Sequence, residues 1–273
     1  MDMVQRAYIP SPLRGGVRKF GGGTSPTMGR FLREISVEFD DYWERDDYGR
    51  RYVPAEQRPL VETLNRYSGL IKAMYQHLCG PVVTKGFSKV VISASKETRR
   101  AAVESILDII VVRSPFELDQ FIRVGDGERK MMMCNLIRTN LLALARRFKW
   151  NRTPIENTFK EILQRKFELN EHWKKPVRSP DRKKTAQIYF EINAKEMRVF
   201  LEVTREQGTE RIQYATSKPN YDELLMYFVG PLRWTSNTRI EQVTFYKMRS
   251  VLVAKRIFKL DESGLKVLSN KVF

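Results

Sequence analysis

A chain of 273 residues, 42% hydrophobic and 30% charged, is long enough for a full core and too ordinary in composition for a wholly disordered protein. Its 49 Lys and Arg against 32 Asp and Glu give a net charge of +17, an excess whose self-repulsion in the compact state favours a polyanionic partner. Two cysteines, Cys79 and Cys134, exclude a disulfide framework and fit a reducing, cytoplasmic setting.

No stretch approaches the roughly 20 apolar residues of a membrane span; the longest candidate, Ser105 to Val112, contains Asp108. Met1 to Arg14 is broken by Asp2, Arg6, Pro10 and Pro12, so it lacks the apolar run of a secretory signal. Residues 1–30 hold Pro10, Pro12, Gly15, Gly16, Gly21 to Gly23 and Pro26 among Arg14, Arg18, Lys19 and Arg30, the composition of a flexible basic arm. Gly21 to Gly29 has no strand before it and no Lys-Ser or Lys-Thr at its end, so it is not a phosphate loop. No cofactor is expected.

Glu38, Asp40, Asp41, Glu44, Asp46 and Asp47 alternate with Phe39, Tyr42, Trp43 and Tyr48. Without the regular Asp-x-Asp-x-Asp-Gly spacing of a calcium loop, they read as an acidic face able to dock on the basic surface. Leu60, Leu64, Tyr67, Ile71, Met74, Tyr75 and Leu78 then recur at helical spacing, closed by Gly80-Pro81. Val82 to Ser93 predicts a short hairpin or irregular crossover, and Ser95 to Ile110, with Ala101, Val103, Ile106 and Leu107, predicts a second helix closed before Ser114-Pro115. Met131, Cys134, Ile137, Leu141, Leu144 and Phe148 share one face of a longer helix. Thr153-Pro154 has the residue types that start another, through Phe167.

After a basic, Pro-containing segment the period changes to two. Gln187 to Ile192 and Met197 to Thr204 alternate as strands, joined by Asn193-Ala194-Lys195, and Gly208 turns the chain towards Ile212, Tyr214 and Thr216. Pro219 to Phe228 has the pattern of a short helix. Leu232 to Thr235, Ile240 to Met248 and Val251 to Leu260 are further strands, and Asp261 to Gly264 turns into a last one at Leu265 to Leu268. The predicted class is α+β: a mainly helical N-terminal half followed by a mostly antiparallel β-sheet C-terminal half with one short helix. The predicted divisions are a flexible basic arm (1–30), a mainly helical region (31–173), a basic connection (174–184) and an antiparallel β-rich region (185–273), the last either separate or packed as one domain with 31–173.

Chemistry is sparse. His77 and His172 are far apart with no cysteine pair nearby, so zinc and a histidine-based catalytic site are not expected. Asp181 and Glu191 resemble the carboxylate pair of a magnesium nuclease, but Asn193 stands where its lysine would. What remains is basic density mixed with flat rings. One run is Arg146, Arg147, Lys149, Trp150 and Arg152; a second is Lys174, Lys175, Arg178, Arg182, Lys183 and Lys184; a third is Arg233 with Trp234. Phosphates take Lys and Arg, and bases take rings. Lys255 and Arg256, with Arg249 and Lys259 near Phe245, Tyr246 and Phe258, have the physical type of a sheet that binds an RNA strand, without an RNP-like motif.

These observations predict a non-enzymatic binding protein engaging nucleic acid, as a nucleoprotein, matrix-like or ribonucleoprotein component. The alternative partner is an acidic protein, as for an immunity protein that neutralises a toxin; an anionic membrane surface would also suit the charge. A magnesium nuclease is the third reading.

Overall fold

The longest helices form where apolar spacing places them. The computed structural model describes residues 31–45, 51–84, 86–96, 98, 102–218, 228–246 and 251–272. Helix α1 (Arg58–Leu78) buries Leu64, Tyr67, Ile71, Met74 and Tyr75 on one face, and Cys79 leaves the helix in extended backbone. Of the later helices, α2 (Leu118–Arg123) is short, and α3 (Asp126–Phe148) buries Cys134, Ile137, Leu141 and Leu144. The Tyr67 hydroxyl donates to Asp126 at the start of α3 (2.8 Å), where an acidic side chain also suits the helix dipole. Helix α4 (Thr153–Gln164) starts with proline in its first turn, but Thr153 is not its cap. The Asn151 side-chain oxygen accepts the Thr153 N–H (3.0 Å) and satisfies that otherwise orphaned donor.

The first half is not simply helical. Strands β1 (Glu34–Phe39), β4 (Lys89–Ser95) and β6 (Ile109–Pro115) run parallel, and β5 (Ala102–Ile106) pairs antiparallel with β6, in the order β1-β4-β6-β5. A small ribbon of β2 (Glu44–Arg45) and β3 (Arg51–Tyr52) lies between β1 and α1 in sequence. The helix predicted over 95–110 is therefore a β5–β6 hairpin turning at Leu107-Asp108. Four consecutive β-branched residues, Ile109 to Val112, favour the pleated strand over a helix; apolar residues on both arms of a tight hairpin had mimicked helical spacing. Lys89–Ser95 is likewise a central strand rather than a crossover, because Val90, Ile92 and Ala94 are buried between β1 and β6. Helix α1 supplies the long connection that a parallel β1–β4 pair requires and packs on β1, α3 and α4.

The second half follows the period-two pattern closely. Strands β7 (Leu169–Arg178), β8 (Thr185–Ile192), β9 (Met197–Arg205) and β10 (Gly208–Ser217) form one antiparallel meander. Strands β11 (Leu232–Ser236), β12 (Arg239–Tyr246), β13 (Val251–Asp261) and β14 (Gly264–Val272) form another. C-terminal strands thus occupy two sheets rather than one. The helix predicted at Pro219 to Phe228 falls almost wholly outside the described residues, as do the arm of residues 1–30 and Arg249.

The two meanders meet face to face. The rings of Tyr214 and Phe258 lie 5.3 Å apart in an edge-to-face arrangement. The Trp234 indole N–H donates to the Val177 carbonyl (2.9 Å), joining β11 to β7; the Asn270 amide donates to the Tyr214 carbonyl (3.0 Å), joining β14 to β10. These bonds give partners to polar groups that would otherwise lie unmet at the sheet edges. On β8, Ala186, Ile188, Phe190 and Ile192 are buried, and Phe190 reaches the His77 ring of α1 (5.5 Å). One hydrophobic core therefore runs through both halves.

Candidate nucleic-acid interface

Of the three predicted basic runs, the second and third adjoin: the Trp234 indole N–H donates to the Val177 carbonyl (2.9 Å) and the Asp181 N–H to the Asn237 side-chain oxygen (3.0 Å). At the α3–α4 junction Arg146, Arg147 and Lys149 are exposed, and Lys149 takes the left-handed conformation (φ 59°) that ends α3. The sharp turn that follows sends Trp150 inward, where it is 5% exposed and stacked on Phe148 (5.7 Å, 21° between planes). Trp150 is a core residue and offers no face to a base. Arg152 is paired with Glu156 one turn along α4 (3.1 Å).

The segment 174–184 lies within the β7–β8 hairpin. Lys174, Lys175 and Arg178 are exposed on the outer part of β7, Arg182 and Lys183 on the turn. Lys184 is tied to Asp181 (3.2 Å), whose carboxylate also accepts from the Ser179 hydroxyl (2.5 Å) and the Lys183 N–H (3.1 Å). The Ser179 bond, then the Lys183 N–H and Lys184, hold the Asp181 carboxyl down at about 2. Asp261, in the β13–β14 turn, is lowered to about 2 chiefly by the Ser263 hydroxyl, with Lys259 and Lys266 adding to it. Both pKa values lie below the ordinary 3.8, so the stabilisation from these turns is complete above that pH and is lost as pH falls through about 2. A carbon-detected NMR titration should place both carboxyl midpoints clearly below those of exposed aspartates; midpoints in the ordinary range would show that the turn hydrogen bonds do not persist in solution.

The carboxylates of the nuclease reading are kept apart. Asp181 precedes β8, whereas Glu191 stands near its far end, bound to Arg198 (2.6 Å) and Arg211 (3.4 Å). Six residues of strand between them amount to about 20 Å, far beyond the reach of one magnesium ion. Among the described residues no group of three or more His, Cys, Asp or Glu side chains could hold a metal. His172 bonds Glu202 (2.5 Å) on the outer face of β7–β10, while His77 is buried beside Phe190 and its pKa is lowered by that desolvation. Two members of the acidic cluster near residue 40 dock on the first sheet: Asp41 accepts from the Ser95 hydroxyl (2.5 Å) and the Lys96 N–H (2.8 Å), and Asp40 accepts from Ser93; Asp46 and Asp47 lie outside the described residues.

The β11–β14 sheet carries the most regular charge. Along β13, alternation sends Arg256 and Phe258 into the core, at 1% and 0% exposure, and Lys255 and Lys259 outward. On β11 it buries Trp234 and exposes Arg233. The register sets Lys259 opposite Arg239 on one side and opposite Lys266 on the other, so three cations form one row across three strands. Glu241, 15% exposed, is ion-paired with Arg233 (3.5 Å), Arg239 (3.9 Å) and Lys255 (3.9 Å); Asp261 serves Lys259 (3.3 Å) and Lys266 (3.9 Å). Five cations thus share two acids among the described side chains of this face.

No family model, no curated protein and no solved structure matches the chain. Of the predicted residues the face contains Arg233 and Lys255; Trp234 and Arg256 lie beneath it. Arg239 and Lys266 were absent from the predicted set. Strand alternation could have selected Lys255 and Lys259 over Arg256, whereas Arg239 and Lys266 join them only through inter-strand register.

Proposed function

We propose that this is a non-enzymatic nucleic-acid-binding protein that holds phosphates on the outer face of the β11–β14 sheet. The row Arg239–Lys259–Lys266 is the observation that carries this reading. Like charges directly opposite in a sheet cost up to about 1 kcal/mol per pair, and the core gains nothing from them. A polyanion offsets that repulsion and releases its counterions on binding. The described uncharged side chains of the face include Thr235, Val243, Ile257 and Ser269, with Leu268 exposed at the β14 bulge; none is a ring on which a base could stack, so the protein meets backbone phosphates and binds independently of sequence.

The test is fluorescence polarisation with a labelled single-stranded RNA between about 50 and 200 mM salt, a range over which phosphate binding loses much of its affinity. The double variant Lys259→Gln, Lys266→Gln should bind at least about tenfold more weakly at the lower salt, with a salt slope shallower by about 0.7 for each phosphate it no longer neutralises. Its thermal midpoint should change little, because relief of the repulsive row offsets the loss of the exposed Asp261 ion pairs. Unaltered affinity and slope in the variant, or tight binding of an acidic protein with no affinity for RNA, would overturn the proposal.

A further inference from the structure

Leu107 is out of place. It is 93% exposed at the tip of the β5–β6 hairpin and holds φ 58°, the left-handed region that a branched apolar side chain disfavours. Neither burial nor backbone preference accounts for a leucine there, and such mismatches between residue and conformation concentrate at functional positions. Ile106 beside it is 60% exposed. Together they form a convex apolar tip projecting from an edge strand.

The surroundings of the tip are cationic. The Ser88 N–H and hydroxyl bond Asp108 (2.9 and 2.6 Å), so the residue after Leu107 is fastened next to Phe87. The Phe87 ring lies 5.1 Å from Phe148, which brings the exposed Arg146, Arg147 and Lys149 to this end of the sheet. The Arg33 N–H bonds the Ser88 carbonyl (2.8 Å) and adds an exposed arginine. None of these four cations is ion-paired among the described residues. The nearby acids are engaged: Asp108 with Ser88, Glu34 with Lys89 (2.6 Å), and Glu104 with Arg113 (3.3 Å).

We propose that this end of the first sheet docks on an anionic lipid bilayer, with Ile106 and Leu107 entering the interface and Arg33, Arg146, Arg147 and Lys149 meeting the headgroups. A small apolar tip flanked by four cations with no ion pair among the described residues matches a surface that is apolar below and negative above. The attachment is peripheral: no helix among the described residues is long and apolar enough to cross a membrane. It uses different residues from the phosphate-binding sheet face and does not depend on that reading.

The experiment is cosedimentation of the full chain with phosphatidylcholine vesicles, with and without about one third phosphatidylserine, the lipid class whose surface potential attracts basic residues. The wild-type chain should sediment with the anionic vesicles only. The double variant Ile106→Thr, Leu107→Asn should lose at least about tenfold in vesicle affinity, the effect expected from withdrawing apolar area from the interface. Its thermal midpoint should be unchanged or higher, since asparagine tolerates the left-handed backbone, and its RNA affinity should not change. Arg146→Gln with Arg147→Gln should weaken vesicle binding about fivefold per charge, whereas Lys259→Gln with Lys266→Gln should leave the dependence on the tip intact. Absence of binding to anionic vesicles, retention of binding by the tip variant, or saturation of the tip by a soluble protein partner would overturn the proposal.

Discussion

Gln242→Leu should destabilise the protein by about 2–4 kcal/mol, a large loss for one side chain. Gln242 is fully buried between the two meanders; its amide donates to the Phe228 carbonyl (2.7 Å) and to the Tyr214 hydroxyl (3.2 Å), and its oxygen accepts from Arg256 (3.2 Å). Arg256 lies 5.2 Å over the Tyr214 ring, and burial lowers its pKa. Leucine would take away a hydrogen bond from a charge held in low dielectric, where each lost partner is costly.

The same residue bears on the proposed binding face through register. Gln242 and Arg256 are directly opposite on β12 and β13, and a slip of one residue would turn every side chain of the strand to the other face. Their bond therefore helps keep Lys255 and Lys259 outward. In guanidinium unfolding the variant should show an earlier midpoint, and the proposed RNA binding should weaken even in buffer where it remains folded. A loss of stability below about 0.5 kcal/mol, the size of a typical neutral surface change, would show that the bond contributes little.

Phe190→Ala should cost about 3–5 kcal/mol, the usual range for truncating a fully buried phenylalanine. Phe190 is 0% exposed and touches the ring of His77 on α1, so the cavity would open where the helices meet the β7–β10 sheet. His77 provides a second readout. Burial lowers its pKa below 6.5, so the folded state resists protonation; the resulting stability is present above pH 6.5 and is lost as pH falls through the lowered folded value. In the variant, water reaches the imidazole, its NMR midpoint should rise towards 6.5, and the decline in stability between neutral and mildly acidic pH should be shallower. An unchanged histidine midpoint with a full loss of stability would place the cavity away from His77.

What could be read from the chain was whatever depends on neighbours in sequence. The helices containing Leu64 to Tyr75 and Cys134 to Leu144 were visible because 3.6-residue spacing is a local property. The alternation of Ile188, Phe190 and Ile192 was visible for the same reason. The β5–β6 hairpin was not, since Val103, Ile106 and Ile110 satisfy helical spacing while lying on two antiparallel arms. Strand β1 also went unseen, because the acidic residues at its end masked the alternation of Ile35, Val37 and Phe39.

Basic density by itself could not separate outward-facing residues from core ones. Trp150 and Trp234 stand beside arginines in the chain but are buried, because a left-handed turn at Lys149 and strand alternation on β11 direct them inward. The sequence alone determined that the protein is strongly basic, that helices precede a long run of antiparallel strands, and where most of those strands begin. Only the tertiary structure decided that the parallel β1-β4-β6 core exists, that two meanders share one interior, and that Arg239, Lys259 and Lys266 form a row. Parallel pairing and inter-strand register join residues separated by tens of positions, and local periodicity carries no information about which strand will lie alongside.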